Sequence, residues 1–368
     1  MEAARDEISR RPCHGPPDRR TKVTEVSVVV TGGRGYLGRH VVAELAPLAT
    51  QVTVTDITPC PDETAPGTRH LRGDVRDEVA LRRSFDGADV VIHTAFAAPR
   101  AGIDSLRSVN VDGVDSVCRI ALEAGVRRIV LVSSTIVDRD LHPHPLRSGA
   151  PVSQLVDYAA SRREAEAMAN HYGALGLEIV IVRPKTFVGP GRVGGFALVF
   201  DLVRRGQAVP LLGPGRARYQ LVDVRDLASG VAALAFSEAI GIFGFGAARF
   251  GSVRDDLGHL IDHAGTTSRI RSLPAPVGRT ILRAIELVGM TPLAEWHHCV
   301  ATGVDSVVDI SRAERELGWC ARRSNAEALT EAFDWYCETL AATRTAPTTH
   351  PIPITHELLR RVAGAVLR

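Results

Sequence analysis

The chain has 368 residues, enough for a large core in one or two domains. Apolar residues make up 45% and the formal net charge is +2, so composition makes no case for nucleic acid or an anionic membrane surface. No run of about 18 apolar residues is present to span a bilayer, and six scattered cysteines without CxxC spacing exclude a zinc knuckle or disulfide scaffold and fit a reducing, cytoplasmic compartment.

Residues 1–24 are rich in Arg, Pro and Glu, show no period and no signal-peptide core, and are expected to form a flexible arm. Residues 26–38 then read VSVVVTGGRGYLG. Val26, Val28, Val29 and Val30 suit a strand buried on both faces of a parallel sheet. Gly32, Gly35 and Gly38 recur at every third position, while Leu37, Val41, Val42 and Leu45 follow at helical spacing. A strand entering a helix through such a turn makes a phosphate cradle. Missing side chains let backbone N–H groups approach a pyrophosphate, and the helix N-terminus adds its dipole. A glycine pattern alone is weak; the strand before it and the helix after it give it meaning. A second strand ends in Asp56, at the spacing of the acid that binds an adenosine ribose. A carboxylate there repels a 2′-phosphate, so NAD is expected over NADP. Arg34, inside the loop, is the opposing sign.

Strands are predicted over 26–30, 52–56, 70–71, 90–93 and 129–132, and helices over 39–48, 78–84, 109–124 and 159–172. This alternation predicts an α/β, doubly wound parallel sheet (Rossmann) with ligands at the carboxyl ends of the strands. Each strand end should then carry a functional residue. Asp74 and Val75 follow the third strand, and Asp74 is placed to accept from an adenine amino group. Thr94, Ala95, Phe96 and Ala97 follow the fourth, where small residues let a ribose lie close. Ser133, Ser134 and Thr135 end the fifth. Tyr158 and Arg162, four apart, share one helix face. A hydroxyl, a phenol and a cation so arranged form a proton-transfer set: the hydroxyl orients a carbinol or carbonyl oxygen, the phenol gives or takes the proton, and the cation favours phenolate and can bind the cofactor ribose, which puts Tyr158 and Arg162 among the cofactor-binding residues as well.

At these residues the chain resembles the extended short-chain dehydrogenase/reductase family, of the NAD-dependent epimerase/dehydratase type. The likeness runs from about residue 26 to 336. It includes TGGRGYLG (31–38), GDV (73–75), VIHTAFA (91–97), VNVDG around Asn110, LVSST (131–135), VRPKTFVGPG (182–191), YQLVDVRDLA (219–228) and VDISRAERELGW (308–319). The resemblance implies a catalytic Thr135 and Tyr158, with Tyr36 and Leu37 beside the cofactor and Arg183, Pro184, Lys185 and Thr186 closing over the nicotinamide. It also implies a smaller, mostly C-terminal substrate lobe over 189–340, with 25–188 and segments near 219–246 forming the cofactor domain. A homodimer through the helices near 109–124 and 159–172, acting on a small molecule, is expected as well.

The departures are informative. Arg162 stands where the family has Lys in YxxxK. Ile136 and Val137 follow Thr135, where the 4,6-dehydratases carry Asp-Glu. Tyr219 occupies the place of a diphosphate-clamping Arg, with Arg216 and Arg218 close by; Ser134, Phe96, Arg216 and Tyr219 are the weaker substrate candidates. Three functions stay open: an NAD-dependent oxidoreductase on a secondary alcohol or ketone, a nucleotide-sugar epimerase, and a dinucleotide-binding protein without redox turnover. The histidines at 142 and 144, and those at 297 and 298 beside Cys299, read as loop residues, and no metal is expected. Residues 341–368 read as a linker followed by an amphipathic helix.

Overall fold

The runs 28–30, 90–92 and 129–132 show no polar alternation, and the structure buries each of them completely, as central parallel strands require. The structure, a computed structural model, describes residues 24–59, 67–98, 101–138, 154–191, 194–274, 299–300 and 303–343. The expected N-terminal arm up to residue 23, the histidines at 142, 144, 297 and 298, and the C-terminal tail from 344 lie outside the described residues.

Seven strands form one sheet: β1 (Thr24–Thr31), β2 (Ala49–Asp56), β3 (Thr68–Arg72), β4 (Val90–His93), β5 (Arg128–Val132), β6 (Glu178–Pro184) and β7 (Gly241–Phe245). Their order is β7-β6-β5-β4-β1-β2-β3 and every neighbouring pair is parallel. This is the doubly wound sheet expected. β1 lies between β2 and β4, with Thr31 in register with both Thr55 and His93. The chain runs outward from β1 through β2 to β3 and then crosses back to β4 on the other side of β1, so a topological switch point, where open α/β sheets bind ligands, lies at the carboxyl ends of β1 and β4.

The helices differ in detail from expectation. α1 (Tyr36–Leu45) starts three residues before the expected 39 and ends three before 48. Its N-cap Gly35 is already extended, and Ala46 N–H and Leu48 N–H close a turn on the carbonyls of Val42 and Leu45. α2 (Glu78–Phe85) begins at Asp77, whose carboxylate accepts from Val79 and Ala80 N–H. The helix expected over 109–124 is α3 (Ile103–Arg107), a π-helical turn (Ser108–Asp112) and α4 (Gly113–Glu123). α5 (Gln154–Gly173) starts five residues before 159, which places Tyr158 inside the helix. α6 (Val224–Phe236) and α7 (Ser311–Leu317) complete this unit.

The chain divides into two units: Met1–Lys185, Val224–Gly246 and Val308–Cys320 in the first, and Thr186–Asp223, Ala247–Val307 and Ala321–Arg368 in the second. The segment 308–320, within the range expected for the second lobe, packs with the first unit. On α7, Arg312 donates to the carbonyls of Ile240 (2.8 Å) and Ile242 (3.0 Å), which occupies the open edge of β7. Trp319 donates its indole N–H to the Asp226 carbonyl and meets Phe245 edge-on.

In the second unit, Thr186–Val188 pairs with Leu221–Asp223 and Val209–Leu212 with Ile270–Leu273, both parallel. Phe196, Phe200, Phe333 and Tyr336 cluster at its centre. Buried Asn325 accepts from Leu221 N–H and donates to the Tyr219 carbonyl and the Asp256 carboxylate.

A Cβ at Gly38 would collide with the Gly32 carbonyl oxygen and lie 2.6 Å from Gly33 Cα, both of them backbone. Gly38→Ala should therefore lower the unfolding free energy by about 1–3 kcal/mol, read from urea midpoints. Gly258, inside the helix Val253–Ala264 with open space around it, is the control: Gly258→Ala should raise stability by up to about 1 kcal/mol.

Candidate active site

The turn after β1 is shaped by close backbone approach. Gly32 has φ +69°, and a Cβ there would lie 2.7 Å from both Cα and N of Ala95. Gly32 N–H donates to the Thr55 carbonyl (2.7 Å), which fastens the turn to β2. Thr94 fastens it to β4: its N–H donates to the Thr31 carbonyl, and its hydroxyl to the carbonyls of Thr31 (2.8 Å) and Gly32 (3.1 Å). The helix that follows has no side-chain cap at Gly35 and no acidic residue in its first turn. Asp77 caps α2, and Ser252 with Asp255 forms a capping box on the helix Val253–Ala264. An uncapped N-terminus behind a glycine turn fits an anionic diphosphate. The Gly32, Gly35 and Gly38 cradle therefore fits the dinucleotide expected, with Tyr36 and Leu37 in the first turn of α1.

Asp56 ends β2 and is buried. Its carboxylate accepts from Arg34 N–H (3.0 Å) and Thr58 N–H (2.9 Å), which orients it beside the glycine turn. Asp74 accepts from Arg76 three times, through the backbone N–H, Nε and a terminal nitrogen. These bonds hold the Asp74 carboxyl below its ordinary range. Val75 is a core residue whose Cγ2 lies against Gly113. Ala97 N–H donates to Asn110 Oδ1 (2.8 Å), Asn110 Nδ2 donates to the Ser161 hydroxyl (3.0 Å), and Ser161 donates to the Tyr158 carbonyl (2.8 Å). Fully buried Asn110, on the π turn, thus links the end of β4 to α5.

Arg162 is buried on α5 and holds Tyr158. Its Nε and one terminal nitrogen donate to the Tyr158 phenol oxygen at 2.9 and 2.7 Å, and the other terminal nitrogen donates to the Val132 carbonyl at the end of β5. Ser134 sets the next turn, accepting from Ile136 N–H at its side chain and from Val137 N–H at its carbonyl. Thr135 is buried at the start of that turn and donates to the Pro184 carbonyl at 3.4 Å. Ile136 and Val137 pack with Ala159 and Tyr158, and Arg163 Nε donates to the Val137 carbonyl. The hydroxyl-bearing turn and the phenol-bearing helix are thereby joined.

Behind them, Ser133 donates to Glu166 (2.5 Å). Glu166 also receives Arg183 through two nitrogens (3.1 and 2.5 Å), and Arg183 reaches Asp138 at 2.5 Å. Arg183 is thus engaged within this unit by two carboxylates. Its partner Glu166 lies one turn beyond Arg162 on the stripe that carries Tyr158, so helical spacing alone could have found it. Nothing in the sequence pairs it with Arg183.

In the second unit, Thr186 and Tyr219 share a side-chain hydrogen bond (2.7 Å), and Tyr219 is buried. Arg218 pairs with Asp305. Arg216 and Arg254 line a concavity with Gly213, Pro214 and Ser272. Among the described residues no group of three metal-ligating side chains converges, and no helix is long and apolar enough to cross a membrane.

A model of the NAD dependent epimerase/dehydratase family matches residues 28–241. The uncharacterized protein y4nG of Sinorhizobium fredii is 33% identical over 338 residues, covering 90% of this chain and 84% of that one. The 3beta-hydroxysteroid-dehydrogenase/decarboxylase isoform 2 of Arabidopsis thaliana is 30% identical over 230 residues, 56% of this chain but 40% of its own length. The chain therefore spans well under two thirds of that relative. The crystal structure of DesIV, a dTDP-glucose 4,6-dehydratase from Streptomyces venezuelae with NAD bound, superposes with TM-score 0.65 at 25% identity, covering 86% of this chain and 98% of that one.

His93 ends β4 and is fully buried. Its Nδ1 bonds the Thr31 hydroxyl (2.7 Å), and its Nε2 has no partner. Burial, with the nearby Arg162 charge, pushes its pKa down from 6.5 to about 3. The folded protein keeps this imidazole neutral where the unfolded chain protonates it. Its stabilisation is therefore complete above 6.5 and is lost as pH falls from 6.5 toward 3. In urea titrations across that window, wild type should lose stability more steeply than His93→Asn, by at most about 1.4 kcal/mol per pH unit. Parallel profiles would contradict the buried neutral imidazole.

Proposed function

We propose that this chain, which belongs to the NAD dependent epimerase/dehydratase family, is an NAD-dependent oxidoreductase acting on a secondary alcohol or ketone of a small molecule. The observation that carries this reading is the pair of hydrogen bonds from Arg162 to the Tyr158 phenol oxygen. They set a permanent positive charge against the one oxygen that must gain or lose a proton. The NAD, when bound, supplies the hydride acceptor or donor. The glycine turn and the open N-terminus of α1 hold the diphosphate. Asp56 accepts from the adenosine ribose and repels a 2′-phosphate, which favours NAD over NADP. Tyr158 exchanges the proton with the substrate oxygen, Thr135 orients that oxygen, and Arg162 holds the phenol in place. Asp74, Val75, Thr94, Ala95, Ala97, Pro184 and Thr186 belong to the cofactor site on this reading, and Ser134, Arg216 and Tyr219 to the substrate side.

Two observations favour net redox over the alternatives. Thr135 is followed by Ile136 and Val137, both buried in the apolar cluster beneath Tyr158, so no carboxylate stands there for elimination of water. The relative from Arabidopsis thaliana is by name a dehydrogenase. A homodimer through α4 and α5 belongs to the same reading.

Calorimetry on pure protein should show NAD binding more tightly than NADP. A panel of secondary alcohols with NAD, followed at the NADH absorbance, should give net NADH formation. An epimerase would return its cofactor unchanged, and a non-catalytic binder would show affinity without turnover. Tyr158→Phe and Arg162→Ala should each lower turnover by about 10²–10⁴-fold. Arg162→Lys, which keeps the charge, should stay within about tenfold of wild type. Full turnover in Arg162→Ala would refute the assigned role.

A further inference from the structure

Arg162 is 6% exposed, yet among the described residues no carboxylate pairs with it. A buried cation without a counter-ion is costly unless other groups receive the charge. Two of those groups are the Tyr158 oxygen and the Val132 carbonyl. The third is an aromatic face: the central guanidinium carbon lies 3.4 Å from the centre of the Phe96 ring. At that separation the guanidinium must lie flat, because an edge-on group would drive a nitrogen, about 1.33 Å from the carbon, into the ring. The ring is itself held. It meets the His93 ring in a T-shaped arrangement, centroids 4.9 Å apart and planes at 68°, and His93 is anchored by Thr31.

We propose that Phe96 is a positioning residue whose ring face sets the plane of Arg162, so that two adjacent nitrogens of the guanidinium reach the Tyr158 oxygen together. Arginine stacks on aromatic faces as a plane, whereas an ammonium is a compact point charge. An aromatic residue at 96 is thus the partner that lets arginine occupy the place of lysine. This assigns Phe96 to Arg162 rather than to the substrate, and it rests on the oxidoreductase reading only for its consequence in turnover.

The test uses full-length, NAD-saturated protein and two independent readouts. The first is the Arg162 Nε–H resonance in ¹⁵N spectra, identified by its disappearance in Arg162→Lys. It should be ring-shifted and protected from water exchange in wild type, remain so in Phe96→Tyr and Phe96→Trp, and exchange about tenfold faster or more in Phe96→Leu. The second is steady-state NADH formation from the fastest alcohol of the panel above. Phe96→Leu should lower kcat about tenfold or more with NAD affinity unchanged, Phe96→Tyr should restore it, and in an Arg162→Lys background the same change should cost less than about threefold. An unshifted, rapidly exchanging wild-type resonance would overturn the proposal. So would a Phe96→Leu cost equal in both backgrounds. If the resonance behaves as expected while no alcohol is turned over, the positioning stands and the oxidoreductase reading fails.

Discussion

The constraint that shapes the candidate site is the approach of two backbones at the carboxyl edge of the sheet. The turn at Gly32 lies against Ala95 with no room for a Cβ. Thr94 bonds the carbonyls on either side of that contact, and Thr31 bonds His93 beneath it. The glycine turn, the buried acid after β2 and the loop after β4 are thereby one rigid object at the switch point. Everything proposed for cofactor binding depends on that rigidity, because a phosphate cradle works through backbone N–H groups already aimed.

Charge is handled in two ways around the candidate site. Glu166, Arg183 and Asp138 form a linked set of opposite charges that ties β6, α5 and the turn carrying Thr135 together. Arg162, one helical turn from Glu166, is held by a phenol oxygen, a carbonyl and a ring face. The difference has a chemical consequence. A carboxylate on Arg162 would cancel the charge presented to Tyr158, whereas a ring face and neutral oxygens leave it directed at the phenol.

The strands of the sheet and their ligand-bearing ends were legible because apolar runs of β-branched residues have few other uses in a chain of this composition. The helix boundaries were less so. α1 begins at Tyr36, inside the glycine run, where Gly38 lies against the backbone of Gly32 and Gly33 with no room for a Cβ, a contact that helical periodicity does not describe. The π turn at Ser108–Asp112, which aims Asn110 at both Ala97 and Ser161, left no mark in the hydrophobic pattern. Arg183 takes three carboxylate oxygens of Glu166 and Asp138 as close partners, 17 and 45 positions away, and no spacing along one element shows that set.

By itself, the order of residues determined the parallel sheet, the glycine cradle with its acid, and the pairing of Tyr158 with Arg162, because each depends on spacing along a single strand, turn or helix. Only the tertiary structure decided what surrounds that pair. The Phe96 face, the buried His93 and the Glu166–Arg183–Asp138 set join residues tens of positions apart. Stacking, desolvation and ion pairing depend on distance in space, which no local period encodes.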